Sequence, residues 1–255
     1  MNTPVATSYQ PLYVAISYAI SVLGAFVALN SAARIRQADG SISVGNTIAA
    51  GLALGGIGVW SMHFIGILAL KLDVASSYAM AETLVSLFAA VAATALALGF
   101  VAQAPERLGR LLGAGFVLGM GVVLMHYLGM WGMKIAGYVR WDMAVVALSA
   151  AIAVVAATAA LWLAFNTRGV VMRFAAALVM GVAVCAMHYT GMHAAEFICT
   201  SDPTVAPDRF GYVGEASLPF VVGLVAVVVA GLIAAYHTWQ DSAVYDTEDF
   251  GASIR

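Results

Sequence analysis

The sequence predicts an all-α membrane protein of seven transmembrane helices, three parallel two-helix repeats plus one extra helix. Three observations carry that prediction: a composition too apolar for water, seven apolar runs of spanning length, and a motif that returns three times at a near-constant interval. Of the 255 residues 63% are hydrophobic and 9% charged, with mean hydropathy +0.95, whereas a soluble domain carries about 25% charged residues. Crossing a hydrocarbon core takes about 20 helical residues, and the runs at 11–30, 46–70, 78–102, 111–135, 142–166, 172–196 and 218–239 are each long enough.

The first run reads as a permanent span, because MNTPVATSYQP before it has no Lys or Arg and the run is too long for a signal peptide. Connections between runs are short, except ICTSDPTVAPDRFGYVGEAS before the last one. Residues 1–240 are therefore expected to form one membrane domain, followed at 241–255 by a short, acidic, disordered cytoplasmic tail with no output or enzyme domain. Cys185 and Cys199 are too few for a disulfide scaffold. The formal net charge of -2 is compatible with the lipid bilayer and with a small-molecule partner; no nucleic-acid partner is expected.

Orientation follows from the basic residues of alternate loops. Arg34, Arg36, Arg107, Arg110, Arg168, Arg173 and Arg255 fall on one side; Lys71, Lys134, Arg140 and Arg209 fall on the other. This bias predicts an outside N-terminus and a cytoplasmic C-terminus. Tyr127, Trp131, Tyr138 and Trp141 form an aromatic belt at the outer end, and Trp162, Phe165, Tyr236 and Trp239 one at the inner end.

The repeat lies in GIGVWSMHFIGI (56–67), GMGVVLMHYLGM (119–130) and GVAVCAMHYTGM (181–192). Each copy has Gly six residues before a Met-His pair, an aromatic after it, and Gly three residues after the His. His63, His126 and His188 are 63 and 62 residues apart, and AATALAL (92–98) is echoed by AATAALW (156–162) in the intervening helices. Two helices per repeat return the chain to the same direction, so three parallel helices bring three imidazoles to one depth. Gly56, His63 and Gly66, with their counterparts Gly119, His126, Gly129 and Gly181, His188, Gly191, fall on one helical face. Met130 and Met192 sit one turn further out on it, where the first repeat has Ile67; Met62, Met125 and Met187 flank their histidines by about 100°.

A buried imidazole without a partner costs about 2–7 kcal/mol. A single one can be satisfied by water or a carbonyl, but three in phase beside methionine point to a shared site. Met187-His188-Tyr189-Thr190, Met125-His126-Tyr127 and Met62-His63 resemble the MHYT family of bacterial integral-membrane sensor domains, whose signature recurs three times near the outer face of seven spans. The resemblance implies a copper ion held by these Met and His side chains, sensing of a diatomic gas (oxygen, carbon monoxide or nitric oxide), and the bacterial inner membrane as location. Family members often continue into cyclic-di-GMP enzymes; here the expectation is a stand-alone module signalling to a separate cytoplasmic protein. Phe64 and Ile67 depart from the pattern and set the first repeat apart.

Imidazole and thioether form a soft set suited to copper, so the expected ligands are His63, His126, His188, Met62, Met125, Met187, Met130 and Met192. A b-type haem held by two of the histidines is an alternative, as is a membrane oxidoreductase at the same site. Sensing ranks ahead of catalysis, because no second metal cluster and no nucleophilic triad is evident. Transport is disfavoured, since the inner halves offer Ser17, Thr94, Thr158 and Asn46 but no acid or base. Glu82, His193 and Glu196 lie near the histidine level with open roles, Lys71 and Lys134 form a rim, Cys185 reads as a packing thiol, and His237 belongs to the inner interface.

Overall fold

The computed structural model describes residues 3–253, with side chains described to residue 242. Its seven spans are α1 (Pro11–Ala32), α2 (Val44–Ala69), α3 (Met80–Ala102), α4 (Leu108–Gly132), α5 (Met143–Asn166), α6 (Gly169–His193) and α7 (Leu218–Ser253). Local chemistry sets their starts. Pro11 occupies the first turn of α1, where its missing N–H costs nothing. Ser43 caps α2 by accepting from Asn46 N, and the Asp142 carboxylate caps α5 by accepting from Ala144 N and Val145 N. Gly169, at φ +76, takes the left-handed conformation that turns the chain from α5 into α6. The helix of α7 continues beyond Ser242 as far as Ser253, through most of the segment expected to be a tail; residues 1–2 and 254–255 lie outside the described residues.

The helices pack in a ring, α1 to α6 in order, and α6 closes back onto α1. The motif helices α2, α4 and α6 meet one another, while α7 packs against α2. That arrangement explains why 89% of the apolar window of α2 is buried inside the protein, against 39% or less for every other span. Glycine makes the close approach possible: a Cβ on Gly24 of α1 would strike the backbone of Gly58, and one on Gly55 would come within 2.6 Å of Ala90 O of α3. Between Leu52 and Ser61, α2 widens into π-helical winding, and the Ser61 hydroxyl donates to Gly56 O at 3.0 Å.

Each motif helix is followed at once by a short strand: β3 (Leu70–Leu72), β5 (Met133–Ile135) and β7 (Ala195–Cys199). Each of these pairs antiparallel with the strand that leads into an outer helix: β2 (Thr7–Tyr9) with β3, β4 (Ser76–Ala79) with β5, and β6 (Gly137–Trp141) with β7. Thus α1 is latched to α2, α3 to α4 and α5 to α6. Two further strands, β1 (Thr3–Pro4) on β7 and β8 (Tyr212–Gly214) on β4, complete the cap. The sequence reading placed helix over 111–135 and 172–196; the apolar runs do continue there, but their last residues belong to the cap.

Packing also shows what the first glycine of each motif meets. The glycine seven residues before each histidine meets an outer helix: Gly56 faces Leu87 and Val91 of α3, Gly119 faces Val154 of α5, and Gly181 faces Val22 and Tyr18 of α1. At this contact α2, α4 and α6 meet α3, α5 and α1, while the strands join α1 to α2, α3 to α4 and α5 to α6, so each outer helix lies between two motif helices.

Candidate metal centre

The motif helices deliver His63, His126 and His188 to one point near the strand-capped end of the bundle. They are 1%, 0% and 1% exposed, and their ligand nitrogens all lie within 4.8 Å of one another. His63 Nδ1 lies 3.1 Å from His188 Nδ1 and 3.1 Å from His126 Nδ1. The rings stand edge to face, with centroids 4.8, 5.0 and 5.2 Å apart.

The opposite edge of each ring explains the glycine three residues after the histidine. A Cβ on Gly129 would collide with His63 Nε2, one on Gly191 with His126 Nε2, and one on Gly66 with His188 Nε2. Every repeat thus seats the imidazole of the preceding repeat, and the third is seated by the first. The three Nε2 atoms are buried and have no hydrogen-bond partner among the described residues.

Protons cannot satisfy this cluster from within. A neutral imidazole has one N–H and one acceptor nitrogen, so the Nδ1 of His63 presents either a proton or a single lone pair to two neighbours at 3.1 Å. One cation at the centre would accept all three Nδ1 lone pairs and leave the protons on Nε2. The spacing fits: nitrogens bonded at about 2.0–2.1 Å to one ion stand roughly 2.9–3.4 Å apart for angles between octahedral and tetrahedral.

The next layer also comes in three copies. Phe64, Tyr127 and Tyr189 pack edge-on against the histidine that precedes each, at 4.8, 4.7 and 4.8 Å between centroids. The Tyr127 hydroxyl hydrogen-bonds the Ser149 hydroxyl of α5 at 2.7 Å, and the Tyr189 hydroxyl that of Ser17 of α1 at 2.9 Å. Phe64 has no hydroxyl; instead Trp60 Nε1, one turn deeper, donates to Ser86 Oγ of α3 at 3.1 Å and to Thr83 O at 3.0 Å. Trp141 and Tyr9 stack edge-on against Tyr127 and Tyr189 at 5.2 and 5.7 Å. Tyr9 as a whole is 41% exposed, but partial desolvation of its hydroxyl end, with the Tyr189 phenol beside it, pushes the phenol up to about 12.

The methionines are all buried: Met62, Met125, Met187, Met130 and Met192 expose 2% or less. Other residues singled out in the sequence fall outside the cluster. His193 is exposed and Cys185 half-buried. Glu82 pairs with Lys134 at 3.2 Å, and Lys134 also donates to Trp131 O. Glu196 pairs across β6 and β7 with Arg140. His237 stands near Ser31 at the far end, with Nε2 3.4 Å from its hydroxyl. Ser17 needs correction: counted with the inner-half residues, it lies six residues into α1 at the level of Tyr189 and buttresses the site. Ser149 and Ser86 were missed. The signal was available, since Ser86 and Ser149 are themselves 63 residues apart, the interval between His63 and His126.

A seven-span bundle built around three equivalent buried histidines defines a class of repeat-built membrane protein, and comparison with known sequences gives it a family. The MHYT family, described as the bacterial signalling protein N-terminal repeat, matches residues 56–114 and 119–177. The chain belongs to that MHYT family of bacterial signalling proteins. It is 37% identical over 233 residues, 89% of this chain and 34% of the relative, to the bifunctional diguanylate cyclase/cyclic di-GMP phosphodiesterase MucR of Pseudomonas aeruginosa. It is 31% identical to the cyclic di-GMP phosphodiesterase NbdA of the same organism, over 91% of this chain and 29% of the relative. The signaling protein YkoW of Bacillus subtilis is 26% identical over 74% of this chain and 24% of its own length. The chain thus spans about a third or less of the curated relatives it matches. No solved structure matches it.

Proposed function

We propose that the chain is the sensing module of a signalling protein and that His63, His126 and His188 hold one copper ion through Nδ1. The observation that carries the reading is the convergence of three buried Nδ1 atoms at 3.1 Å contacts that no arrangement of imidazole protons satisfies. Met130 and Met192 supply thioether donors from one turn beyond the imidazoles, and Met62, Met125 and Met187 supply them from the flanks; thiolate and carboxylate are absent from the group, which favours copper over zinc. When bound, the ion offers a coordination position to a diatomic gas: oxygen, carbon monoxide or nitric oxide.

The protein's own residues do the rest. The glycine seats fix the plane of each ring, the aromatic and serine layer keeps the rings from turning, and full burial excludes water from the nitrogens. The strand-capped end faces outward and α7 ends on the cytoplasmic side of the bacterial inner membrane, in keeping with the bias of basic residues toward the opposite loops. A cyclic-di-GMP enzyme or another cytoplasmic signalling protein receives the signal, a reading supported by the activities named for MucR and NbdA.

Haem fits less well. Two imidazoles that ligate one haem stand on opposite faces of the macrocycle, whereas these three touch one another and occupy glycine seats with no room between them. Metal analysis and visible spectra of protein purified from copper-supplied cells test the reading. One copper per chain is expected, lost in His126→Ala; full retention in the His63→Ala/His126→Ala/His188→Ala triple variant would refute it.

A further inference from the structure

One helical turn on the other side of the histidines, toward the middle of the membrane, the bundle is not filled. Val59, Val122 and Val184, each four residues before a motif histidine, line a cavity of about 40 Å³ together with Met187, which directly precedes His188. A water needs at least about 10–15 Å³ on this measure and 2–4 polar partners. Space is available here but partners are not, for the hydroxyl in the lining, that of Thr94, already donates to Ala90 O at 2.7 Å. An apolar cavity of this kind stays dry and takes apolar guests of atomic size.

Its two ends differ. On the capped side the histidines lie beneath Ile67, Met130 and Met192, one turn further along each motif helix and 2%, 1% and 2% exposed, with the paired strands beyond. On the membrane side the cavity's rim consists of Ala156 and Ala160 of α5 and Ala183 and Val184 of α6, which are only half-buried at mid-span. These small side chains face the hydrocarbon layer, where apolar gases dissolve in preference to water.

Building on the gas-sensing reading above, we propose that this cavity is a binding site for a small apolar diatomic gas, filled laterally from the bilayer between α5 and α6, and that the ligand approaches the three histidines from it. The ligand is selected by being small and apolar before any metal meets it. Ions, water and polar solutes are excluded by the lining.

Xenon-129 exchange spectroscopy of metal-free protein in lipid nanodiscs tests the site with an inert probe. A protein-bound xenon signal distinct from lipid-dissolved xenon is expected in the wild type, and it should vanish in Ala157→Phe, which fills the cavity from α5. No bound signal in the wild type overturns the proposal without reference to any variant's folding, and a signal that survives Ala157→Phe overturns its assignment to this cavity. In copper-loaded protein, carbon monoxide association should slow about tenfold in Ala157→Phe as occupancy of the precursor site falls. An unchanged rate at unchanged copper content overturns the approach route. Copper content, measured in parallel, separates the two readings: xenon bound by a wild type that holds no copper refutes the metal centre and the approach to it, and leaves the gas cavity standing.

Discussion

Gly129→Ala isolates the seating of one imidazole, because it adds a single methyl to the site and changes no candidate ligand. The new Cβ collides with His63 Nε2, lies 2.9 Å from His63 Cδ2 and 3.3 Å from Phe64 Cζ. His63 cannot retreat freely: its other edge is in contact with His126 and His188, and Phe64 is fully buried against Trp60 at 5.0 Å. Overpacking of this kind costs about 1–3 kcal/mol, while replacing glycine inside a helix recovers about 1 kcal/mol. The matched control is Gly113→Ala on the same helix, where nothing lies within 4 Å of the added Cβ and only the gain applies. Thermal unfolding in detergent should place Gly129→Ala below Gly113→Ala by about 1–3 kcal/mol, and competition titration with a Cu(I) chelator should show affinity reduced about 10- to 100-fold. In a His63→Ala background the two closest colliding atoms are gone and only the 3.3 Å approach to Phe64 Cζ remains, so most of the difference between Gly129→Ala and Gly113→Ala should disappear. Wild-type copper affinity together with unfolding equal to that of Gly113→Ala would refute the seating argument.

Three further outcomes follow from the layers around the site. Tyr127→Phe removes the hydroxyl bonded to Ser149, whose own donation to Val146 O persists, so thermal unfolding should show a loss of about 0.5–1.5 kcal/mol while copper stoichiometry stays unchanged. Asp142→Ala strips two backbone N–H groups of their cap at the start of α5 and should cost about 1 kcal/mol; hydrogen exchange should quicken first at Ala144 and Val145. The Tyr9 phenol titrates near 12 in the folded protein against 10.0 in the unfolded chain, so its contribution to stability is complete below pH 10 and is lost as pH rises toward 12. Unfolding midpoints across that window should fall more steeply in the wild type than in Tyr9→Phe, and parallel slopes would exclude Tyr9 as the cause.

The spans and the histidines were legible because lipid imposes a strong sequence signal: the expected runs match the first six helices to within three residues and the start of the seventh, and the three histidines in phase do meet at one point. The cap was not legible. Its strands are two to five residues long, too short to show alternation, and Met133–Ile135 continues an apolar run that reads as more helix. The function of the motif's second glycine was half legible. Its spacing announced close packing, but only the fold shows that the packed object is a neighbour's imidazole, because that contact joins Gly66 to a residue 122 positions away. Likewise the stripe that contains Gly119 and His126 reads as one face, yet it meets α5 at the glycine and the central axis at the histidine.

The first repeat shows how far a departure from the motif can be read as weakness. Phe64 in place of tyrosine sets the first repeat apart in sequence, but the structure places an indole in the same relation to the neighbouring helix: Trp60 reaches Ser86 as Tyr127 reaches Ser149 and Tyr189 reaches Ser17. The serine contact survives with its donor moved one turn deeper, into the π-helical stretch of α2, and Phe64 fills the space against Trp60 at 5.0 Å. His63 is accordingly as buried as its partners, and it is the one whose Nδ1 lies within 3.1 Å of both others. What the first repeat does give up is a sulfur. Ile67 leaves two methionines, Met130 and Met192, one turn beyond the imidazoles, so an ion held as proposed would meet three nitrogens but thioethers from only two of the three repeats at that level. The lopsidedness falls on α2, the helix against which α7 packs, so the departure from threefold symmetry lies on the side where α7 joins the ring of six helices.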